Sequence, residues 1–376
     1  MIFVTPSEKS ATPSSFTPLD DVFMARALAL TANGRDTCTP NPNVGCVIVK
    51  DGIIVGEGWH ERAGEAHAEV RALEKAGASA RGATAYVTLE PCAHRGRTGP
   101  CTDVLIDAGI ARVVAALEDP FPQVNGRGLA KLREAGIQVD TGLRADEARE
   151  AHRGFLARVT RGRPWMRIKV AASLDGRIAL ANGESRWITS EAARRDVHAL
   201  RAQSCAILTG IGTVLADDPE LTVRDVECRR QPRRVVIDSR LDMPLGAKIL
   251  RGEPPLIVTV SDDAAKRDML AAKGAEVVRV PNEGAKTDLA AVARLLAERG
   301  FNEVMVETGG KLMGSLLVAG VVDEIVVYYA PIILGDKAQP LFVLPELTRL
   351  ADARRLHAMD VRAFGPDVRV TFRFDD

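Results

Sequence analysis

The sequence has no excess charge of either sign: 50 Lys and Arg stand against 50 Asp and Glu over 376 residues. Gripping long nucleic acid through its backbone phosphates takes a basic surface, so no nucleic-acid partner is expected. Cysteine is sparse and unpatterned: Cys38, Cys46, Cys92, Cys101, Cys205 and Cys228 do not have the dense, regular spacing of a disulfide scaffold. No apolar run is long enough to span a bilayer, so no membrane partner is expected. Residues 1–18, rich in Ser, Thr and Pro, lack the basic start and apolar stretch of a secretory signal. They are read as a mobile tail, and the protein is expected in the cytoplasm, where metal-binding thiols stay reduced.

Apolar residues make up 46 % of the chain, enough for packed cores, and the length exceeds what one core organises. Two domains are expected, 19–162 and 163–376, with the boundary after a charged helix over Ala145–Arg161 that Gly162 and Pro164 end. Helical periodicity marks Asp20–Asn33. Asp51-Gly52 between two apolar runs marks a hairpin, and strands alternate with helices from there on. The fold class is α/β in both halves.

The chemistry is concentrated in His67-Ala68-Glu69, Pro91-Cys92 and Cys101. One imidazole and two thiols are the ligand count of a catalytic zinc, which keeps a fourth position for water and lowers the pKa of that water. Glu69 is not needed as a ligand and is free to carry protons. It would take one from the attacking water and pass it to the ring nitrogen and the departing amine. Cys101 opens a helix, where unpaired N–H groups favour the thiolate. The pattern follows the H-x-E…P-C-x-x-C deaminase signature with one departure, since eight residues instead of two separate Cys92 from Cys101. That insert carries His94, Arg95 and Arg97 among glycines, a composition suited to a phosphorylated small molecule. Upstream, Asn41 and His60 are candidates to hydrogen-bond a ring edge.

The segments PNPNVGCVIV, GEGWHERAGEAHAEV and YVTLEPCAHRGRTGPC resemble the deaminase half of the bifunctional deaminase/reductase family of riboflavin biosynthesis. KVAASLDGRIA, GESRWITS, LRAQSCAILTGIGTVLADDPELTVR, VVIDS and VETGGKLMGSLL resemble its reductase half. The resemblance implies a cytidine-deaminase-like α/β/α domain followed by a dihydrofolate-reductase-like α/β domain. It implies one Zn2+ per chain, bound by His67, Cys92 and Cys101, with Glu69 as the proton shuttle. It further implies NADPH in the second domain, and assembly as a homo-oligomer through that domain. The implied reactions are deamination of 2,5-diamino-6-(5-phosphoribosylamino)pyrimidin-4(3H)-one and reduction of the ribosyl side chain to 5-amino-6-(5-phosphoribitylamino)uracil.

By the same resemblance, Asn41, His60, His94 and Arg97 fall at the deaminase substrate site, and Lys169 falls at an active-site lysine of the reductase. Ser185, Arg201, Leu221, Arg224 and Glu307 fall at reductase substrate positions, with Arg201 and Arg224 suited to clamp a phosphate. Ala171, Trp187, Thr213, Asp217, Ser239 and a loop of Gly309, Gly310, Lys311, Leu312, Met313, Gly314 and Ser315 fall at the NADPH site. Ala93 and Gly99 stand where the family often has Ser and Pro. Taken without the resemblance, the glycines at 210–212 and 309–310 are weak phosphate-cradle signals, because neither is a full G-x-G-x-x-G. Two other readings remain: a nucleoside or nucleic-acid base deaminase with an accessory domain, and a structural-zinc interaction module with His94 as fourth ligand.

Overall fold

The computed structural model of the chain describes residues 16–93, 99–122, 124–280, 282 and 284–374. The chain divides into two compact units, Met1–His152 and Arg153–Asp376. Among the described residues, no helix is long and apolar enough to cross a membrane.

The first unit begins with α1 (Pro18–Leu30). Thr17 caps it: its hydroxyl accepts the Asp20 amide at 3.1 Å, and Asp20 Oδ2 accepts the Thr17 amide at 2.8 Å. The expected tail therefore ends before Thr17, and residues 1–15 lie outside the described residues. Strands β1 (Gly45–Lys50) and β2 (Ile53–Trp59) form the hairpin that Asp51-Gly52 foretells, both turn residues having positive φ (51° and 77°). Then follow α2 (Ala68–Ala76), β3 (Thr84–Val87), α3 (Cys101–Asp107), β4 (Arg112–Ala115), α4 (Arg127–Glu134), β5 (Gln138–Thr141) and α5 (Ala145–Arg161). The sheet runs β2-β1-β3-β4-β5, antiparallel at the hairpin side and parallel from β3 onward.

Two glycines of β2 set how close α2 comes. A Cβ on Gly56 would lie 2.1 Å from the Ala72 carbonyl oxygen, and one on Gly58 2.3 Å from that of Ala68. Backbone-to-backbone contact of this kind holds the start of α2, and the residues that carry the chemistry, tight against the hairpin.

The two compact units divide inside α5, between His152 and Arg153, ten residues before the boundary expected at 162/163. His152 belongs to the first unit, buried with Nε2 3.1 Å from the Thr88 hydroxyl. The next turn belongs to the second. Arg153 pairs with Glu303 at 3.0 Å, Arg158 donates to Asn302 at 2.7 Å, and a Cβ on Gly154 would meet the Asn302 carbonyl at 2.8 Å.

The second unit contains β6 (Trp165–Ser173), β7 (Arg177–Ala179), α6 (Glu191–Gln203), β8 (Ala206–Gly210), α7 (Ile211–Asp217), β9 (Arg233–Ile237), β10 (Leu256–Thr259) and α8 (Ala264–Ala271). It continues with β11 (Glu276–Arg279), α9 (Leu289–Glu298), β12 (Glu303–Val306), α10 (Gly310–Val318), β13 (Glu324–Ala330), β14 (Gln339–Pro340), β15 (Leu356–Phe364) and β16 (Asp367–Phe374). Nine strands run in the order β11-β10-β9-β8-β12-β6-β13-β16-β15. The strands from β11 to β13 are parallel, and the inner strands β8, β10 and β12 are wholly buried runs, whereas the edge strand β11 is half-buried to exposed. β12 inserts between β8 and β6, so the chain reverses direction across the sheet there. In open α/β sheets, ligands bind beyond the carboxyl ends of the strands at such a switch point.

Candidate active sites

The first site gathers on helix starts. His67 precedes α2 in an extended conformation (φ −73°, ψ 166°), so its ring projects off the helix end. Glu69 lies in the first turn and is 3 % exposed. Cys92 follows β3, and Cys101 is the first residue of α3. His67 Nδ1 lies 3.2 Å from Cys101 Sγ and 3.6 Å from Cys92 Sγ, and the three donor atoms are all within 4.8 Å of one another. A tetrahedral zinc places an imidazole nitrogen and a thiolate sulfur about 3.6 Å apart, so this donor set and spacing fit the metal.

The electrostatics favour a cation here. The Cys101 amide donates to Cys92 Sγ at 3.4 Å and the Thr102 amide to the Cys92 carbonyl at 3.2 Å, so the start of α3 wraps the Cys92 thiolate. The hydrogen bond from the Cys101 thiol, reinforced by His67 and the Cys101 amide, outweighs burial and holds Cys92 down at about 4. The same shared bond, together with burial, pushes Cys101 well up. Burial raises Glu69 above the usual carboxylate range, which suits a group that must pick up a proton.

His60 is buried, and burial lowers its pKa, so the ring is neutral. Its Nδ1 faces the Ala66 carbonyl at 3.2 Å and its Nε2 the Asn41 amide nitrogen at 3.0 Å. With Nδ1–H donating, Nε2 accepts from Asn41. His94 and Arg97 lie outside the described residues. Two residues escape a reading by motif. Glu90 accepts four backbone N–H groups. Asp119 is pushed by burial, and then by the charges of Glu90 and Cys92, up to about 6.

The second site lies at the switch point. Glu307, just beyond β12, accepts Lys169 of β6 at 3.2 Å and Arg201 of α6 at 2.6 and 3.0 Å. Burial opposes ionisation of Glu307, but Arg201 and Lys169 outweigh it and hold the carboxyl well below its ordinary range. Arg201 also donates to the Thr222 carbonyl at 2.9 Å. The expected phosphate clamp is thus half made. The Arg201 fork is committed to protein partners, whereas Arg224 is 52 % exposed and bonded to Glu220 and Thr222. Leu221 is buried with φ 52°, which turns the chain that presents Arg224.

The remaining expected residues divide into accessible and packed positions. Trp187 is 70 % exposed under the Arg194 guanidinium, 4.4 Å from the ring centroid. Ser185 sits half-buried between β7 and α6. Ala171 lies opposite Tyr328 on β13. Thr213 faces Thr308 at 3.3 Å, Ser239 faces Thr287 at 2.9 Å, and the Asp217 carbonyl accepts Arg186 at 2.9 Å. The expected loop Gly309–Ser315 is instead mostly helix α10. Gly309 is open, with nothing within 4 Å of a Cβ position, and Lys311 and Ser315 are exposed. Leu312 packs on the core and Met313 lies wholly inside it. A Cβ on Gly310 or Gly314 would strike the carbonyls of Pro340 (2.7 Å) or Val343 (1.9 Å), so these are packing positions. The fit to a dinucleotide rests on two helices, α7 and α10, that start without side-chain caps after the adjacent strands β8 and β12. Helix starts without side-chain caps suit a pyrophosphate.

Comparison with known proteins matches residues 18–117 to the cytidine and deoxycytidylate deaminase zinc-binding region and residues 164–370 to the RibD C-terminal domain. The chain is 51 % identical to the riboflavin biosynthesis protein RibD of Escherichia coli, covering 93 % of this chain and 98 % of that protein. It is 46 % identical to the Haemophilus influenzae protein of the same name, covering 95 % and 98 %. Acinetobacter baumannii RibD superposes with a TM-score of 0.87 at 41 % identity, over 95 % of this chain and 99 % of that one. A Thermotoga maritima diaminohydroxyphosphoribosylaminopyrimidine deaminase/5-amino-6-(5-phosphoribosylamino)uracil reductase superposes at 0.83 and 34 % identity, over 95 % and 99 %. Full-length likeness of this order leaves no place for the readings as an accessory-domain base deaminase or a structural-zinc module. With a cytidine-deaminase-like zinc unit followed by a reductase unit, the chain belongs to the RibD family of riboflavin biosynthesis, the bifunctional deaminase/reductases.

Proposed function

We propose that the chain deaminates 2,5-diamino-6-(5-phosphoribosylamino)pyrimidin-4(3H)-one with zinc, then reduces the ribosyl side chain with NADPH to give 5-amino-6-(5-phosphoribitylamino)uracil. The carrying observation is the convergence of His67, Cys92 and Cys101 beside a buried Glu69 with raised pKa. A zinc ion held by these three residues supplies Lewis acidity that makes a water nucleophilic near neutral pH. Glu69 would relay the two protons of that water in turn, the first to the ring nitrogen as the oxygen adds to the ring carbon and the second to the amine, which leaves as ammonia as the carbonyl forms. His60 fixes the orientation of Asn41 through the 3.0 Å contact between their nitrogens, and the pair is assigned to the ring edge of the substrate. Arg97 and His94 of the insert are assigned to the substrate phosphate.

In the second unit NADPH supplies the hydride. Lys169 is the proton donor for opening the ribosylamine to an imine, and Glu307 holds its ammonium at 3.2 Å. Arg201 locks Glu307 in place, and Arg224 is the exposed cation for the 5-phosphate. The cytoplasm and a homo-oligomer joined through the reductase unit remain part of this reading. Incubating the chain with the diaminopyrimidine and NADPH tests it. Ammonia release and NADPH oxidation should both occur, in that order, and the absence of either rejects the two-step reading.

A further inference from the structure

Glu90 stands two residues before the ligand Cys92 and is 4 % exposed. Its Oε2 accepts the amides of Asp119 and Gly126, both at 3.0 Å. Its Oε1 accepts those of Gly128 at 2.8 Å and Leu129 at 3.3 Å. A carboxylate offers about four lone-pair sites, so every one is used; two donors come from the segment before α4 and two from its first turn. The next residue is gripped as well. A Cβ on Gly128 would lie 2.0 Å from the Pro91 carbonyl oxygen, so that carbonyl rests directly on the first turn of α4. On the other side of Pro91, the Cys92 carbonyl and thiolate are held by the start of α3.

We infer that Glu90 is a positioning residue for the metal centre. It anchors the Glu90-Pro91-Cys92 segment to α4, so that Cys92 is suspended between two helix starts at the spacing zinc requires. Carboxylates that support metal ligands set both affinity and geometry, and their removal typically costs 10–100-fold in metal affinity or activity. A glutamine in the same place would turn an amide NH2 toward two backbone donors, while an aspartate would fall one methylene short. The inference rests on the zinc reading of the first site.

The experiment uses the full chain loaded with zinc and compares wild type with Glu90→Gln, Glu90→Asp and Gly128→Ala. The rate of zinc transfer to a chromogenic chelator is measured, together with the visible absorption of the cobalt-substituted chains. Glu90→Gln and Gly128→Ala should lose zinc about 10–100-fold faster than wild type. Their cobalt bands should shift, while reduction of the deaminated substrate stays unchanged. Glu90→Asp should fall between, and it replaces Glu90→Gln as the deciding variant should that chain not fold. Folded variants that release zinc at the wild-type rate with an unshifted cobalt spectrum overturn the inference and leave Glu90 as a core tether alone. A wild-type chain that binds no zinc rejects the zinc reading instead, and the two failures are thereby distinct.

Discussion

His67 and Cys101 lie 34 residues apart in the chain, whereas Lys169 and Glu307 lie 138 apart and Arg201 and Glu307 lie 106 apart. His67 and Cys101 each sit at the start of a helix and Cys92 lies in the loop between β3 and α3, so little fold is needed to bring the three together. The reductase cluster draws on β6, α6 and the end of β12, and exists only once the strand order is set. An imidazole and two thiols at deaminase spacing have few structural uses in combination. Lys, Arg and Glu, by contrast, are the ordinary residues of a solvated surface. A metal centre can thus be read from residue type, while a charge cluster can be read only from geometry.

The largest expected effect tests whether the two centres are independent. Glu69→Gln should lower deamination by about 10²–10⁴-fold, the range of a lost acid–base group. Reduction of the already deaminated compound should proceed at the wild-type rate. Assaying ammonia release and NADPH oxidation separately on the folded variant decides it, and loss of both would merge the centres.

The next effect probes burial. Lys169 and Arg201 have side chains only 15 % and 11 % exposed. Glu307→Ala leaves both cations without their carboxylate, at a cost of about 3–5 kcal/mol to the second unit. Denaturant unfolding of the whole chain should show that unit melting first, with zinc retention unaltered. A wild-type transition would mean that solvent or other partners already compensate the cations.

The smallest effect is a difference in acid sensitivity. Burial pulls His152 in the first unit down to about 4. The unfolded chain therefore takes up this proton first, and stability present above about pH 6.5 is lost as pH falls toward 4. Asp119 acts with the opposite sign: raised to about 6, it binds its proton first in the folded state and partly offsets that loss. In the second unit burial opposes ionisation of Glu324, but Arg167 and Arg153 outweigh it and bring the carboxyl to about 2. Its contribution persists until the pH drops below about 4.5 and is lost toward 2. The first unit should therefore loosen at higher pH than the second. His152→Leu should remove about 3 kcal/mol of the loss between pH 6.5 and 4, read from urea midpoints across pH 4–7. An unchanged slope would assign the early loss to other groups.

Most of the elements were legible from periodicity. α5 has the same bounds in sequence and structure, Ala145–Arg161, and the β1–β2 hairpin turns at the Asp-Gly pair. The hairpin of β15 and β16 was not legible, because β15 is an edge strand exposed along most of its length and LHAMDVRAF shows no clean alternation. The division of α5 between the two compact units was not legible, because helix-ending residues mark where a helix stops, not which core each of its turns packs on. Glu90 and Asp119 went unread since a carboxylate that binds backbone amides leaves no mark in residue spacing.

The sequence by itself determined the donor set of the metal centre, the element starts that carry it and the alternation that makes both halves α/β. These depend on residue type and on periods of two to four residues, which act within a single element. Only the tertiary structure decided that Arg201 locks Glu307, that Met313 and Gly314 serve packing, and that Glu90 ties Cys92 to α4. Those outcomes depend on which strands become neighbours and how closely backbones approach, and both are set by burial summed over residues distant in the chain.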